Sequence, residues 1–269
     1  MFSRYLFPDK KTEKVATHQR LDRAARRQIT GHLPKDCHFP TAKEIIHFEG
    51  MNGPDGLASK RGNLQDEPHQ FVPPDFSDKR LLNHISNHIH NLHVASLKND
   101  RVRMSFEAAW MAHMIVDGLS PSHHQPFKEQ LRELDNREVD ELKSRVSRIV
   151  TPGTSMKDFL SLNWKRLGPK GIGTNHVMFE AGVEFLMLPY RSKQLAVELS
   201  REDVKRAKSG EYIEMFKGSI KYIDGYQMFE RYEQKSWTED LARDVRHVMV
   251  PEMVKMITLG WLAGIYKGE

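Results

Sequence analysis

Trp110-Met-Ala-His113-Met-Ile-Val-Asp117-Gly-Leu-Ser-Pro-Ser-His123-His124-Gln-Pro126 opens as an apolar helical pattern and closes in a Gly/Ser/Pro turn. Within it sit three groups able to hold a metal, His113, Asp117 and His123, with His124 adjoining. Residues four apart on a helix lie on one face, one turn above the other. An imidazole and a carboxylate at that spacing can grip one cation, and His123 can return from the turn towards the same space. Zinc takes both kinds of ligand. A single stretch does not make a site, so the remaining ligands have to come from the flanking chain.

Upstream, Thr12 to Ile29 is a basic helical run with an apolar stripe through Val15, Leu21, Ala24, Ala25 and Ile29, and it carries His18. Thr41 with Glu44 three residues on is the capping-box pattern and predicts a short helix over Ala42 to Phe48. Gly50 to Pro74 is rich in Gly and Pro and lacks apolar periodicity, so it reads as a long structured loop holding Asp55 and His69. Ser77 or Asp78 can cap a helix through Leu97 whose inner stripe is Leu81, Leu82, Ile85, Ile89 and Leu92. Asn99-Asp100 restarts the chain into the helix that ends at Asp117.

Downstream, Pro126 to Val150 reads as a charged helix and Ser155 to Trp164 as a short one. Lys165 to Gly173 reads as a connector, and Asn175 to Leu188 as a strongly apolar helix stopped by Pro189. Ser192 to Tyr266 predicts two or three amphipathic helices with breaks near Gly210, Trp237 and Pro251. Strand-like alternation is nearly absent. The expectation is an all-α single-domain helical bundle over 1–269, with a helical insertion at 127–165 and a C-terminal helical extension at 193–269.

The composition narrows the function classes. A chain of 269 residues can bury one sizeable core. Its net charge of +5 is interspersed, which mildly favours phosphate-bearing partners and falls short of a nucleic-acid footprint. The single cysteine, Cys37, excludes an internal disulfide framework and any Cys-rich zinc site. No signal-peptide core is recognisable, and no run of about 18 apolar residues suggests a transmembrane segment, so a cytoplasmic location is expected. Fourteen histidines make metal chemistry worth testing.

Two helical His-x3-acid pairs stand out, His113/Asp117 and His176/Glu180, both among apolar residues where an unpaired His or carboxylate would be costly. Two further pairs, His18/Asp22 and His32/Asp36, bring the total to four, where roughly two would arise by chance. A core histidine bonded to a nearby carboxylate therefore remains an alternative for any one pair. The joint pattern is stronger: two buried-looking helices each present a His and a carboxylate, and a loop offers Asp55 and His69.

Taken in order, these residues resemble the zinc-dependent phospholipase C family, whose all-α fold is shared with zinc-dependent single-strand nucleases. The shared pattern is His-x3-Asp-x5-His, here His113, Asp117 and His123. It is preceded by a helical His (His18) and by an Asp and His across an irregular loop (Asp55, His69). It is followed by His-x3-Glu (His176, Glu180). The resemblance covers about residues 15–185. It implies one zinc held by Asp55, His69, His113 and Asp117, and a second by His123, His176 and Glu180. It also implies a third that shares Asp117 with His18 and is completed by the mature N-terminal residue. The site would thus carry two or three Zn2+ and cleave a phosphodiester, a phospholipid head group or a nucleotide, with zinc-activated hydroxide. Asp55 is cast as general base. Transient membrane-surface contact is compatible with this, and no protein partner is evident. The alternatives are a single-strand nuclease or nucleotidase on the same fold, and a non-catalytic helical protein whose zinc is structural or lost.

Other histidines read differently. His84, His88, His90 and His93 form a polar helix face, with His88 a possible supporting partner. His47 is the stronger candidate to support a ligand from outside the metal shell. His32, His38 and His247 read as surface or turn residues, and Lys170-Gly171-Ile172-Gly173 as a flexible connector.

Overall fold

The computed structural model describes residues 16–54, 72–126, 130, 133–134 and 153–266. The expectations for the loop carrying Asp55 and His69, the chain before residue 16 and most of the charged segment at 127–152 lie outside the described residues. Among the described residues the chain is all-α, with no strand.

Helix α1 (Thr17–Ile29) buries Leu21, Ala24, Ala25 and Ile29 along one stripe. The expected capping box starts α2 (Ala42–His47): Thr41 Oγ1 accepts from Glu44 N at 3.4 Å and Glu44 Oε2 accepts from Thr41 N at 2.7 Å. Helix α3 (Arg80–Leu97) follows Asp78, whose Oδ1 accepts from Arg80 N at 2.9 Å. A tight turn with Asn99 in the left-handed region (φ 51) reverses the chain. Asp100 then caps α4 (Arg101–Gly118) by accepting from Arg103 N at 2.9 Å. Every residue of α4 from Met111 to Gly118 is buried, the state of a helix enclosed on all sides.

Helix α5 (Met156–Leu167) runs one turn beyond its expected end and meets α6 (Ile172–Met187) through the Gly168–Gly171 turn. The remainder forms α7 (Arg201–Lys208), α8 (Tyr212–Asp224), α9 (Met228–Lys235) and one continuous final helix α10 (Glu239–Tyr266). Gly210 (φ 91) and the Ser236–Trp237 region break the chain as expected, whereas the break before α9 falls at Gln227 (φ 48). Pro251 does not break it. The residues just before it, Val245–Met249, form a π-helical turn. A proline lacks the N–H of the i→i−4 bond and its ring crowds the carbonyl there, and a wider turn accommodates both defects.

The final helix is the middle of the fold rather than an appendage. It packs on α1, α3, α4 and α7. Trp261 Nε1 donates to Ala108 O at 2.9 Å, and Tyr212 OH donates to Met256 O at 2.9 Å. By length and composition α10 could cross a membrane, but 72% of its apolar window is buried within the fold, which is where a core helix sits.

Candidate metal centre

Burial of α4 carries His113 and Asp117 into the interior, both with no exposed surface. Glycine at 118 lets Leu81 and Phe216 close on the end of the helix, because a Cβ would stand 2.7 Å from Leu81 Cδ2 and 2.8 Å from Phe216 Cζ. The chain then turns through Pro121–His123 and brings His123 back over Asp117. From the other side, α6 is fixed by an aromatic cluster. Phe179 stacks on Trp237 with ring centroids 5.5 Å apart and also meets Phe229 and Tyr232. That packing requires Gly182, since a Cβ would lie 2.1 Å from the Trp237 ring. It sets His176 and Glu180 against His123.

The result is two groups, His18/His113/Asp117 and His123/His176/Glu180, each with its ligand atoms within 4.8 Å of one another. Asp117 uses both oxygens: Oδ2 lies 3.3 Å from His113 Nε2, while Oδ1 lies 3.5 Å from His18 Nε2 and 3.8 Å from His123 Nε2. Glu180 Oε1 lies 3.0 Å from His123 Nε2 and 3.2 Å from His176 Nε2. The His18 and His113 rings stack at 4.1 Å. His123 is therefore the link between the two groups, through Asp117 on one side and Glu180 on the other.

The spacings test whether a metal fits. Two ligand atoms each about 2.0–2.2 Å from a tetrahedral zinc stand about 3.3–3.6 Å apart. Charge-assisted N–H···O bonds are shorter, about 2.7–2.9 Å. The His18–Asp117, His113–Asp117 and His176–Glu180 separations of 3.5, 3.3 and 3.2 Å fall at or near the tetrahedral edge, whereas His123–Glu180 at 3.0 Å is a hydrogen-bond length. Both groups can hold a metal ion on this geometry.

The electrostatics agree. Burial alone would raise Asp117, yet it lies well below the usual carboxylate range, with the facing His123 and His113 among the causes. Glu180 is likewise depressed against burial, with His176 and His123 among the causes. Burial lowers His123 to about 4 despite Asp117 and Glu180, and burial with His113 lowers His18. Neutral imidazoles facing ionised carboxylates are the protonation states that metal ligation requires. His113 differs: burial opposes its charge, yet Glu49 and Asp117 raise it well above the ordinary value.

Glu49 is the residue the sequence reading missed. It is buried, and its Oε2 lies 3.3 Å from His113 Nδ1 on the side away from Asp117. A metal-binding His commonly donates its second N–H to such a carboxylate. Asp22, one turn along α1 from His18, is also buried. Both its oxygens lack a hydrogen-bond partner among the described residues, and burial together with Glu49 pushes it well above the carboxylate range.

Of the eight expected metal residues, six converge here: His18, His113, Asp117, His123, His176 and Glu180. Asp55 and His69 lie outside the described residues. His124 is turned away, donating through Nε2 to Gly118 O at 2.9 Å and facing Asp224 at 3.6 Å. The expected role of His47 falls instead to Glu49: His47 ends α2 exposed, edge-on to Phe48. His88 pairs with the buried Glu107 rather than with a ligand of either group. His84, His90, His38 and His247 are exposed, as a polar face and surface positions require.

Searches against protein-family models, curated proteins and solved structures return no match for this chain.

Proposed function

We propose that the protein is a zinc-dependent phosphoric-ester hydrolase of the phospholipase C type, acting on a phosphodiester at the His18, His113, Asp117, His123, His176 and Glu180 centre. The observation that carries the reading is the adjacency of two His/His/carboxylate groups joined at His123, 3.8 Å from Asp117 and 3.0 Å from Glu180. A closed structural site has four protein ligands around one ion. Two three-residue groups sharing a wall instead suit a clustered centre with open positions for water and phosphate. Zinc, when bound, supplies Lewis acidity: it acidifies water and neutralises charge building on phosphoryl oxygens.

This chain's own residues would divide the work. Asp117 presents one oxygen to each side and would be shared between two ions. Glu180 is oriented by His123, by His176 and by Ser122 Oγ at 3.4 Å. Glu49 fixes the His113 ring and holds the proton on Nδ1, leaving Nε2 for the metal. The chain on either side of the 55–71 segment abuts the centre, Glu49 at His113 and Val72, whose N–H donates to His123 O at 3.2 Å. This is the arrangement in which Asp55 and His69 would complete it, with Asp55 as general base.

The choice of phospholipid over nucleic acid rests on the rim. His176 is the most exposed of the six ligands, and Val177, about 100° round α6 from it, is exposed and apolar. An apolar rim suits acyl chains; a nuclease needs a basic groove with stacking platforms. The test is elemental analysis of protein purified without chelator, with hydrolysis of p-nitrophenyl phosphocholine, short-chain phosphatidylcholine and single-stranded DNA. About two or three zinc ions per chain and turnover of the choline esters are expected. Absence of stoichiometric zinc overturns the mechanism. Turnover of DNA alone transfers the centre to the nuclease reading.

A further inference from the structure

Eight of the eleven large apolar side chains exposed among the described residues fall on α5, α6 and the residue after α6. On α5 they form one face: Met156, Leu160, Trp164 and Leu167 are spaced by four, four and three residues and are 74%, 61%, 68% and 45% exposed. Helical neighbours at that spacing stand on one side, and a stripe of this kind left in water marks an interaction surface. On α6, which packs against α5, Met178 and Phe185 are also exposed, at two helical turns' separation.

The charges around this face are one-sided. Between residues 153 and 193 the exposed charged side chains are Lys157, Lys165, Lys170, Arg191 and Lys193. The three acids of the same span are withdrawn: Glu180 and Glu184 are buried, and half-buried Asp158 accepts from Thr154 N at 2.8 Å. An amphipathic helix with an exposed tryptophan and flanking lysines has the composition of an interfacial element.

We propose that the α5–α6 face docks on an anionic lipid surface, with Leu160 and Trp164 inserted and Lys157, Lys165 and Lys170 at head-group level. Charge decides between a lipid surface and a second copy of this chain. A two-fold pairing through the stripe would bring these lysines towards their own copies, whereas an anionic bilayer complements all of them. Met178 and Phe185 share α6 with His176 but stand on the opposite side of that helix, so docking would bring the chain to a lipid surface without itself setting the centre against the head groups. The docking does not rest on the phospholipase reading.

The experiment is flotation of the full chain with vesicles of phosphatidylcholine alone and of phosphatidylcholine with phosphatidylserine at about three to one. It is read together with quenching of tryptophan fluorescence by brominated acyl chains. The chain should float with the anionic vesicles and release as salt is raised. Leu160→Glu/Trp164→Glu should cut partitioning about tenfold or more, with its melting temperature and its hydrolysis of soluble p-nitrophenyl phosphocholine unchanged. Quenching should vanish in Trp164→Phe, a variant that keeps the apolar face. The proposal is overturned if the chain stays unbound to anionic vesicles, or if the double variant binds as the parent does. It is also overturned if the parent elutes as a dimer that the double variant dissolves, which would make the face a self-interface. Docking without zinc or turnover would remove the hydrolase reading and leave this one standing.

Discussion

Glu49→Gln isolates the contribution of one carboxylate that touches no candidate metal position itself. Its Oε2 is 3.3 Å from His113 Nδ1, across the imidazole from Asp117. Gln keeps the volume and can still accept a hydrogen bond, so the substitution removes mainly charge. A hydrogen bond to a charged group is worth about 1.5–3 kcal/mol, and at 1.4 kcal/mol per factor of ten that is about 10- to 150-fold in affinity. Loss of an outer carboxylate from a metal-bound His independently suggests about 10–100-fold. The two estimates coincide. Zinc competition against a chromogenic chelator should therefore show one weakened site, of the order of tenfold or more, and one unchanged site at His123/His176/Glu180, because Glu49 makes no contact there. In the metal-free variant His113 should also titrate lower than in the parent, since Glu49 is the largest cause raising it. Equal weakening of both sites, or of neither, would refute the assignment of Glu49 to His113.

Asp117→Asn removes the carboxylate shared by His18, His113 and His123. It should abolish hydrolysis and the His18/His113 metal, read by elemental analysis beside activity. His176→Ala should remove only the second ion, with little loss of stability because His176 is partly exposed. The chelated protein should destabilise in acid. His123 sits at about 4 when folded and at about 6.5 when unfolded. Below pH ~6.5 the unfolded chain therefore binds the extra proton, and up to about 3 kcal/mol is lost as pH falls towards ~4. His113 runs the other way: its raised value contributes fully below pH ~6.5 and is lost as pH rises through the folded value. Urea midpoints of the chelated parent and of His123→Gln across pH 4–7 check the first of these, and an unchanged acid limb in the variant would refute it. Gly182→Ala should lower stability by about 1–3 kcal/mol through overpacking, since its Cβ would meet the Trp237 ring at 2.1 Å.

How much of the centre is legible in the sequence depends on the range of each interaction. His113/Asp117 and His176/Glu180 are one turn apart, so periodicity alone places each pair on one face. The apolar residues around them announce the burial that makes those pairs costly without a cation. Thr41/Glu44 is legible for the same reason, since both partners lie within one turn. Glu49 is not, because its partner is 64 residues away. What decides between His47 and Glu49 is the exit of α2 at Phe48, which leaves His47 exposed and buries Glu49. Pro251 shows a different failure. The rule that proline ends helices assumes an i→i−4 ladder, and the π turn at Val245–Met249 removes that assumption one residue earlier. The place of the final helix within 193–269 is not legible, because α10 has too little polar surface to reveal which neighbours cover it. Its partners α1, α3 and α4 come from the far end of the chain.

The same distinction bears on the surface. A stripe such as Met156, Leu160, Trp164 and Leu167 is indistinguishable in sequence from the inner face of a core helix, such as Leu81, Ile85, Ile89 and Leu92. In α3 that face is buried, whereas in α5 it is exposed. The difference lies in what each helix packs against: α3 has α4 and α10 on its apolar side, while α5 spends its contacts on α6. Exposure of a core-like face next to the element that carries His176 and Glu180 is therefore a property of the assembled fold. It ties the candidate metal centre to the surface through α6, the one helix that both share.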